Sequence, residues 1–218
     1  MKVLVACEES QRVCIAFRNK GHEAYSCDIE PCSGGHPEWH IQEDVLKVID
    51  GCQFITMGGK LHTVNQWDLI IAHPPCTYLT VAANKYYNVE KYGAKAIERE
   101  QLREEAIEFF LKFTDLKCPK VAIENPIGVM STRHKKPTQV IQPYYFGDKE
   151  RKATCLWLKG LPPLKPTNIV EPDIIKHKSG RTDSRLYFET LKLPKEERAR
   201  IRSKTFEGIA KAMAEQWG

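Results

Sequence analysis

Asp68-Leu69-Ile70-Ile71-Ala72-His73-Pro74-Pro75-Cys76 decides the fold: an apolar run stops at two prolines and delivers a cysteine at its end. A short run of this kind predicts a strand buried on both faces, which is the signature of a parallel sheet covered by helices. Open α/β sheets bind ligands beyond the carboxyl ends of their strands, so Cys76 is placed where a nucleophile is useful. Pro74 and Pro75 offer no backbone N–H and restrict the chain to an extended path, which fixes the residue that follows just outside the sheet. A second run, Lys120-Val121-Ala122-Ile123-Glu124-Asn125-Pro126, repeats the pattern and ends with a carboxyl group instead of a thiol.

Outward from these two runs the chain alternates in the α/β manner. Strands are expected at Lys2 to Ala6, Ala24 to Asp28, and Ala153 to Leu158, with a helix from about Ser10 to Lys20 that Gly21 closes. A short helix is expected within His40 to Ile49, and Phe54 to Gln66 receives no assignment. Thr77 to Lys95, rich in tyrosine, predicts a long loop. Ile97, Leu102, Ala106, Phe109, Phe110 and Phe113 recur at helical spacing over Ala96 to Asp115. Pro162, Pro163, Pro166 and Pro172 predict an irregular excursion from Leu161 to Leu193. Helices follow from Pro194, and from about Thr205 to Trp217. The expected organisation is therefore a core over 1–160, a small basic insertion over 161–203, and a helix over 204–218 that returns to the core.

With 218 residues, 28% of them charged and 42% hydrophobic, the chain suits one globular unit. No apolar stretch reaches membrane-spanning length, and Met1 to Ala6 enters a strand pattern directly, so a cytoplasmic protein is expected. The eight cysteines lack a short disulfide framework and are expected to be reduced. Cys27, Cys32, His36 and His40 loosely imitate a zinc-ligand series, but the usual Cys-x-x-Cys knuckle is absent and no metal is expected. The net charge of +5 is unevenly spread: Lys176 to Lys204 carries ten Lys or Arg against four Asp or Glu, which leaves the rest of the chain at about −1. Such a block is either a solvated surface or, through Lys178, Arg181, Arg185, Arg202 and Lys204, a set of phosphate contacts.

The Pro-Pro-Cys turn followed by Glu-Asn-Pro resembles the DNA (cytosine-5) methyltransferases, which carry Pro-Cys in a catalytic loop and Glu-Asn-Val on the next strand. The resemblance implies a Rossmann-like α/β fold, mostly parallel with helices on both faces, and S-adenosylmethionine (or a related one-carbon donor) as cofactor. It implies that Cys76 adds to carbon 6 of a flipped-out cytosine in DNA while Glu124 engages the ring nitrogen, with Pro75 and Asn125 beside the base. Attack on so poor an electrophile needs both a thiolate and a partner at that nitrogen, and desolvation is expected to push Glu124 toward the neutral, donating form. Arg151 and Lys152 fall where the family has a cation near the target base; each is equally readable as an exposed charge. For the cofactor the resemblance implies Asp28 and Ile29 after the second strand, Asp44 and Val45 after the third, Pro74, and the first-strand turn with Ala6, Glu8 and Ser10. There Ser10 is expected to cap the following helix and Glu8 to face the cofactor. Glu124, Asp28 and Asp44 are also readable as ordinary turn acids. The family's glycine-rich turn is replaced by Ala6-Cys7-Glu8-Glu9-Ser10-Gln11.

The chain is small for the family, having only about Leu161 to Ser203 in place of a large target-recognition domain, and looks like a compact, phage or mobile-element style member. Two rivals remain. An amino-methyltransferase carries an Asp/Asn/Ser-Pro-Pro-aromatic turn, but here His73 and Cys76 stand at its two chemically important positions. A non-catalytic nucleic-acid-binding protein on the same fold is the other, favoured by the missing glycines.

Overall fold

Val3, Leu4, Val5 and Ala6 have no exposed surface, and neither do Leu69, Ile70, Ile71 and Ala72. These two apolar runs are the central strands of the sheet in a computed structural model that describes all 218 residues. The strands are β1 (Lys2–Ala6), β2 (Glu23–Asp28), β3 (His40–Gln42), β4 (Cys52–Ile55), β5 (Leu61–Val64), β6 (Leu69–Ala72), β7 (Lys120–Pro126), β8 (Gln139–Ile141), β9 (Thr154–Lys159), β10 (Ile174–Lys176) and β11 (Thr182–Ser184). Helices are α1 (Arg12–Asn19), α2 (Val89–Tyr92), α3 (Ala94–Leu111), α4 (Met130–Arg133), α5 (Arg185–Glu189), α6 (Lys195–Ser203) and α7 (Glu207–Trp217).

Seven strands form one sheet in the order β3-β2-β1-β6-β7-β9-β8. All pairings are parallel except those of β9, which runs antiparallel to both β7 and β8. From β1 the chain steps outward to β2 and β3, then crosses back to β6 on the other side. The order thus reverses between β1 and β6, the point at which a doubly wound sheet opens a crevice at its carboxyl edge.

Side chains alternate across the sheet with the strand period. Leu4, Ala6, Ile70 and Ala72 pack on one face with Trp67, Phe110, Phe113 and Trp157. Val3, Val5, Leu69 and Ile71 pack on the other with Val13 and Phe17 of α1 and Ala210, Met213 and Trp217 of α7. The expected α/β architecture with helices on both faces is present, and α7 returns to the core as the sequence predicts. No helix is long and apolar enough to cross a membrane.

Three local expectations are corrected, and one unassigned segment gains a structure. Thr77 to Lys95 is not a plain loop: a 3-10 turn (Val81–Tyr87) and α2 occupy it, and α3 begins at Ala94. The cause is tertiary, because Arg99 and Arg103 of α3 lie over the Tyr78 and Tyr87 rings, Arg103 at 3.2 Å from the Tyr87 centroid. The unassigned segment after residue 51 is the β4–β5 hairpin, which covers the sheet edge with Phe54 and Val64. The excursion after residue 160 contains the β10–β11 hairpin and α5, and its first residues belong to the core. Leu164 is buried, with its N–H and carbonyl bracketed by the Gln139 amide at 2.8 and 2.7 Å. Finally, His40 to Ile49 opens with strand β3, and only a 3-10 turn (Val45–Lys47) follows.

Beyond the sheet, the turns after β6 and β7 are sewn together. The Val129 N–H donates to the Leu79 carbonyl at 2.9 Å, the Val81 N–H to the Ile127 carbonyl at 3.3 Å, and Thr80 bridges Gly128. A Cβ on Gly128 would lie 2.2 Å from the Leu79 oxygen, so only glycine permits this approach. Gly128→Ala is expected to force the two turns apart and to cost about 1–3 kcal/mol, measured as a lowered urea midpoint; an unchanged midpoint would mean the seam carries no strain.

Candidate active site

The β6 strand ends where its hydrogen bonds run out. The His73 N–H still reaches the Ala6 carbonyl at 2.9 Å, but Pro74 and Pro75 have no N–H to give, and the chain turns as the Cys76 carbonyl accepts from Leu79 and Thr80 at 3.0 and 3.1 Å. On the neighbouring strand Asn125 is buried, and its Nδ2 donates to the Pro74 carbonyl at 2.7 Å. This bond ties the Pro-Pro-Cys turn to the Glu-Asn-Pro strand. Because Ala72 pairs with Ile123 in the parallel register, His73 and Glu124 come next to each other at the sheet's carboxyl edge.

His73 Nδ1 lies 3.5 Å from Glu124 Oε2, with the two side chains only 11% and 20% exposed. Burial pushes the Glu124 carboxyl up, but the His73 hydrogen bond and charge, then Lys152 and Thr154, outweigh it and hold the group below its ordinary value. The neutral glutamate expected from desolvation is therefore corrected: a histidine that the sequence reading did not use keeps it ionised. His73 is itself raised, since Glu124 and Glu8 together overcome the burial that would discharge it. The Cys76 thiol is pushed up by burial and by Glu124, and Lys152 offsets part of this. Cys76, Glu124, His73 and Lys152 thus form one electrostatic cluster.

Of the two candidate cations, Lys152 belongs to this cluster and Arg151 does not. Lys152 Nζ donates to the Arg202 carbonyl at 2.8 Å, while its charge acts on Glu124 and Cys76. Arg151 is exposed and turned to the β10–β11 hairpin, where it donates to the Thr182 carbonyl and hydroxyl at 3.1 and 2.9 Å. A cavity of about 200 Å³ lies beside them, walled by Glu150, Lys152, Ser184, Leu186, Tyr187 and Arg202.

The first-strand turn follows a glycine-like path without glycine. Cys7 and Gln11 both have φ of +58°, a conformation that costs a side-chain-bearing residue about 1–2 kcal/mol. Gln11 is held there from outside: its side chain exchanges hydrogen bonds with the His36 backbone at 2.9 and 3.0 Å. The expected roles in this turn are corrected. Glu8, not Ser10, caps α1, taking the Val13 and Cys14 N–H groups at 2.7 and 3.2 Å; the left-handed Gln11 starts the helix at Arg12 and leaves Ser10 outside it. Glu9 keeps one buried carboxylate oxygen, Oε1, with no partner.

Asp28 is half-buried, raised by desolvation, and accepts the Glu30 N–H at 3.0 Å; Ile29 beside it is 71% exposed. Asp44 caps the 3-10 turn through Leu46 N–H at 3.0 Å. Ala6, Val45 and Pro74 are buried, and Val45 packs in the core instead of facing a ligand. Pro75 is exposed. The zinc-like series does not converge: His40 binds Ser26 and the Glu30 carbonyl, His36 stacks on Trp39, and Cys27 faces the Glu43 carbonyl. All eight cysteines are free.

In the basic excursion, Arg181 pairs with Asp183, and Arg185 with Asp173 and Glu189. Arg202 donates to the Thr190 hydroxyl and the Tyr187 carbonyl, both at 2.7 Å. Lys178 is exposed in the hairpin turn and Lys204 is half-buried. The positive block is therefore partly neutralised by its own acids. No family model matches this chain, and no curated protein matches it in sequence.

Burial pushes Glu8 from 4.5 up to about 7 despite its two backbone hydrogen bonds. Between those values the folded chain binds more protons than the unfolded one, so stability falls as pH rises from 4.5 to about 7. The full shift corresponds to about 3 kcal/mol. Urea unfolding at pH 5 and pH 8 is expected to show the protein less stable at pH 8, and Glu8→Gln to shrink the difference; an equal difference in the variant would assign the slope to other groups.

Proposed function

We propose that the chain is a methyltransferase that modifies carbon 5 of cytosine in DNA through a covalent adduct with Cys76. The observation that carries this reading is the tie between Asn125 and Pro74, which joins the turns that bear a thiol and a carboxylate at one edge of the sheet, within the field of the Lys152 ammonium. The short motifs Pro-Pro-Cys and Glu-Asn-Pro support it independently, as does a mostly parallel, doubly wound sheet whose crevice lies at that same edge.

In this reading the resting thiol is neutral, which protects it until a base arrives. A cytosine seated against Lys152 and Glu124 displaces water, and the Lys152 charge then favours the thiolate as its sulfur bonds carbon 6. Glu124 meets the ring nitrogen and exocyclic amino group, where charge develops during attack. Flipping the base costs a few kcal/mol, and the tyrosine–arginine wall beside Cys76 offers rings to stack against the strand left behind. Of the five cations singled out in the basic block, Arg181 and Arg185 are paired with acids and Arg202 is hydrogen-bonded, whereas Lys178 and Lys204 have no such partner and suit phosphates.

The residues around the first-strand turn fit S-adenosylmethionine. The left-handed backbone at Cys7 turns the chain as a glycine would, and the unpartnered Glu9 oxygen and the half-buried Asp28 carboxylate are acceptors for ammonium and ribose hydroxyls, with Ile29 exposed beside Asp28. When bound, that cofactor supplies the electrophilic methyl. Eight free cysteines are in keeping with the reducing cytoplasm in which the reading places the enzyme.

Incubation of the purified protein with methyl-labelled S-adenosylmethionine and DNA, followed by mass spectrometry of the nucleosides, is expected to yield 5-methylcytosine. Cys76→Ser is expected to lower the rate roughly a thousandfold or more. Label on an exocyclic nitrogen, or a serine variant as active as the parent, would overturn the reading.

A further inference from the structure

His73 is an enclosed titratable group in contact with Glu124 to which the cytosine chemistry above gives no part. It sits immediately before the two prolines, and five charged or titratable groups act on it or its partner from the adjoining elements: Glu124 from β7, Glu8 from the turn after β1, Lys152 just before β9, Cys155 from β9, and Cys76 from its own turn. Its Nδ1 faces Glu124 Oε2 at 3.5 Å, while its Nε2 is buried and has no partner.

That orphaned nitrogen separates His73 from an ordinary structural ion pair. As an imidazolium, the ring leaves an Nε2–H group unpaired in a buried place. As the neutral Nδ1–H tautomer, it leaves an unpaired acceptor there and a weaker bond to Glu124. Neither state satisfies every polar atom, and an unmet buried group costs about 1–3 kcal/mol. No second hydrogen bond therefore locks the ring in one protonation state. The other buried histidine, His40, shows the contrast: both of its nitrogens are engaged, at 2.8 and 2.9 Å, and burial lowers it.

We propose that His73 is a positioning residue that stores the proton Glu124 carries to the pyrimidine ring and takes back afterwards. The inference rests on the cytosine reading above and deepens it. An ionised Glu124 has no proton to give, so a carboxylate held by a charged histidine supplies one only if the histidine is the source. In the forward step the sulfur–carbon 6 bond forms, the thiol proton having left to solvent. His73 Nδ1 gives its proton to the Glu124 carboxylate and becomes neutral, and Glu124 passes that proton to the ring nitrogen, ending as the carboxylate it was at the start. After the methyl group is in place, carbon 5 loses its proton to water and the sulfur–carbon bond breaks. The ring-nitrogen proton passes back to Glu124 and on to His73, and the released thiolate takes a proton from solvent. The charge of Glu8, a second carboxylate pushed up to about 7, also acts on the ring, so it compensates the imidazolium without holding it permanently charged.

Two measurements test this, one of which needs no turnover. In nitrogen-15 histidine spectra of the full chain, the resonance that disappears in His73→Gln is expected to titrate above the ordinary histidine range, and to move to lower pH in Glu124→Gln. In the DNA assay, His73→Gln is expected to lower kcat about a hundredfold with KM for DNA changed less than about twofold, and to remove one limb of the pH profile. A titration indifferent to Glu124→Gln, or a glutamine variant with the parent's pH profile, would overturn the proton store. Failure of the unaltered protein to methylate any DNA would instead overturn the parent reading and the delivery step with it, while the spectra still decide whether histidine and glutamate share a proton.

Discussion

One hydrogen bond, from the Asn125 amide to the Pro74 carbonyl, joins the two chain turns on which the candidate chemistry stands. It is needed because Pro74 and Pro75 end the backbone ladder: past His73 there is no N–H to continue the pairing of β6 with its neighbours. A side chain has to take over where the sheet stops. Asn125 does so from a buried position, and the approach of Gly128 to Leu79 extends the seam by another turn. The placement of Cys76 relative to Glu124 follows from this seam and from the parallel register beneath it.

The same enclosure that fixes the groups governs their charge. With little water to screen them, Glu124, His73 and Glu8 set one another's protonation, and burial acts against each charge while its neighbours restore it. Glu8 is the most constrained of the three. It holds the amino end of α1 with both oxygens, yet burial keeps it near neutrality. A structural cap and a titrating acid are here the same side chain.

Much of the fold was legible from the sequence, since β1, β2, β6 and β7 announce themselves as apolar runs and α7 as a small-residue face. The positions of Cys76 and Glu124 followed from the same runs. What the sequence concealed were contacts between distant segments. Tyr78 and Tyr87 carry no helical period, and the wall they build depends on Arg99 and Arg103 in a later helix. The β4–β5 hairpin has no turn signal stronger than Gly58-Gly59. The first turn has no glycines, yet Cys7 and Gln11 both adopt the left-handed path there, Gln11 being clamped by the Gly34 segment and the His36 backbone. His73 looked like a mere substitution in a motif, since one histidine before two prolines does not reveal two carboxylates across the sheet.

Lys152 joins two parts of the molecule that otherwise have separate tasks. Its ammonium is tied to the carbonyl of Arg202, at the end of α6, and its field reaches the sulfur of Cys76. The end of α6 and the acidity of the thiol therefore share a single tether. Any displacement of that helix end would carry the ammonium with it and alter the field at the sulfur, so that the chain's last turns set the proton affinity of a group more than a hundred residues earlier.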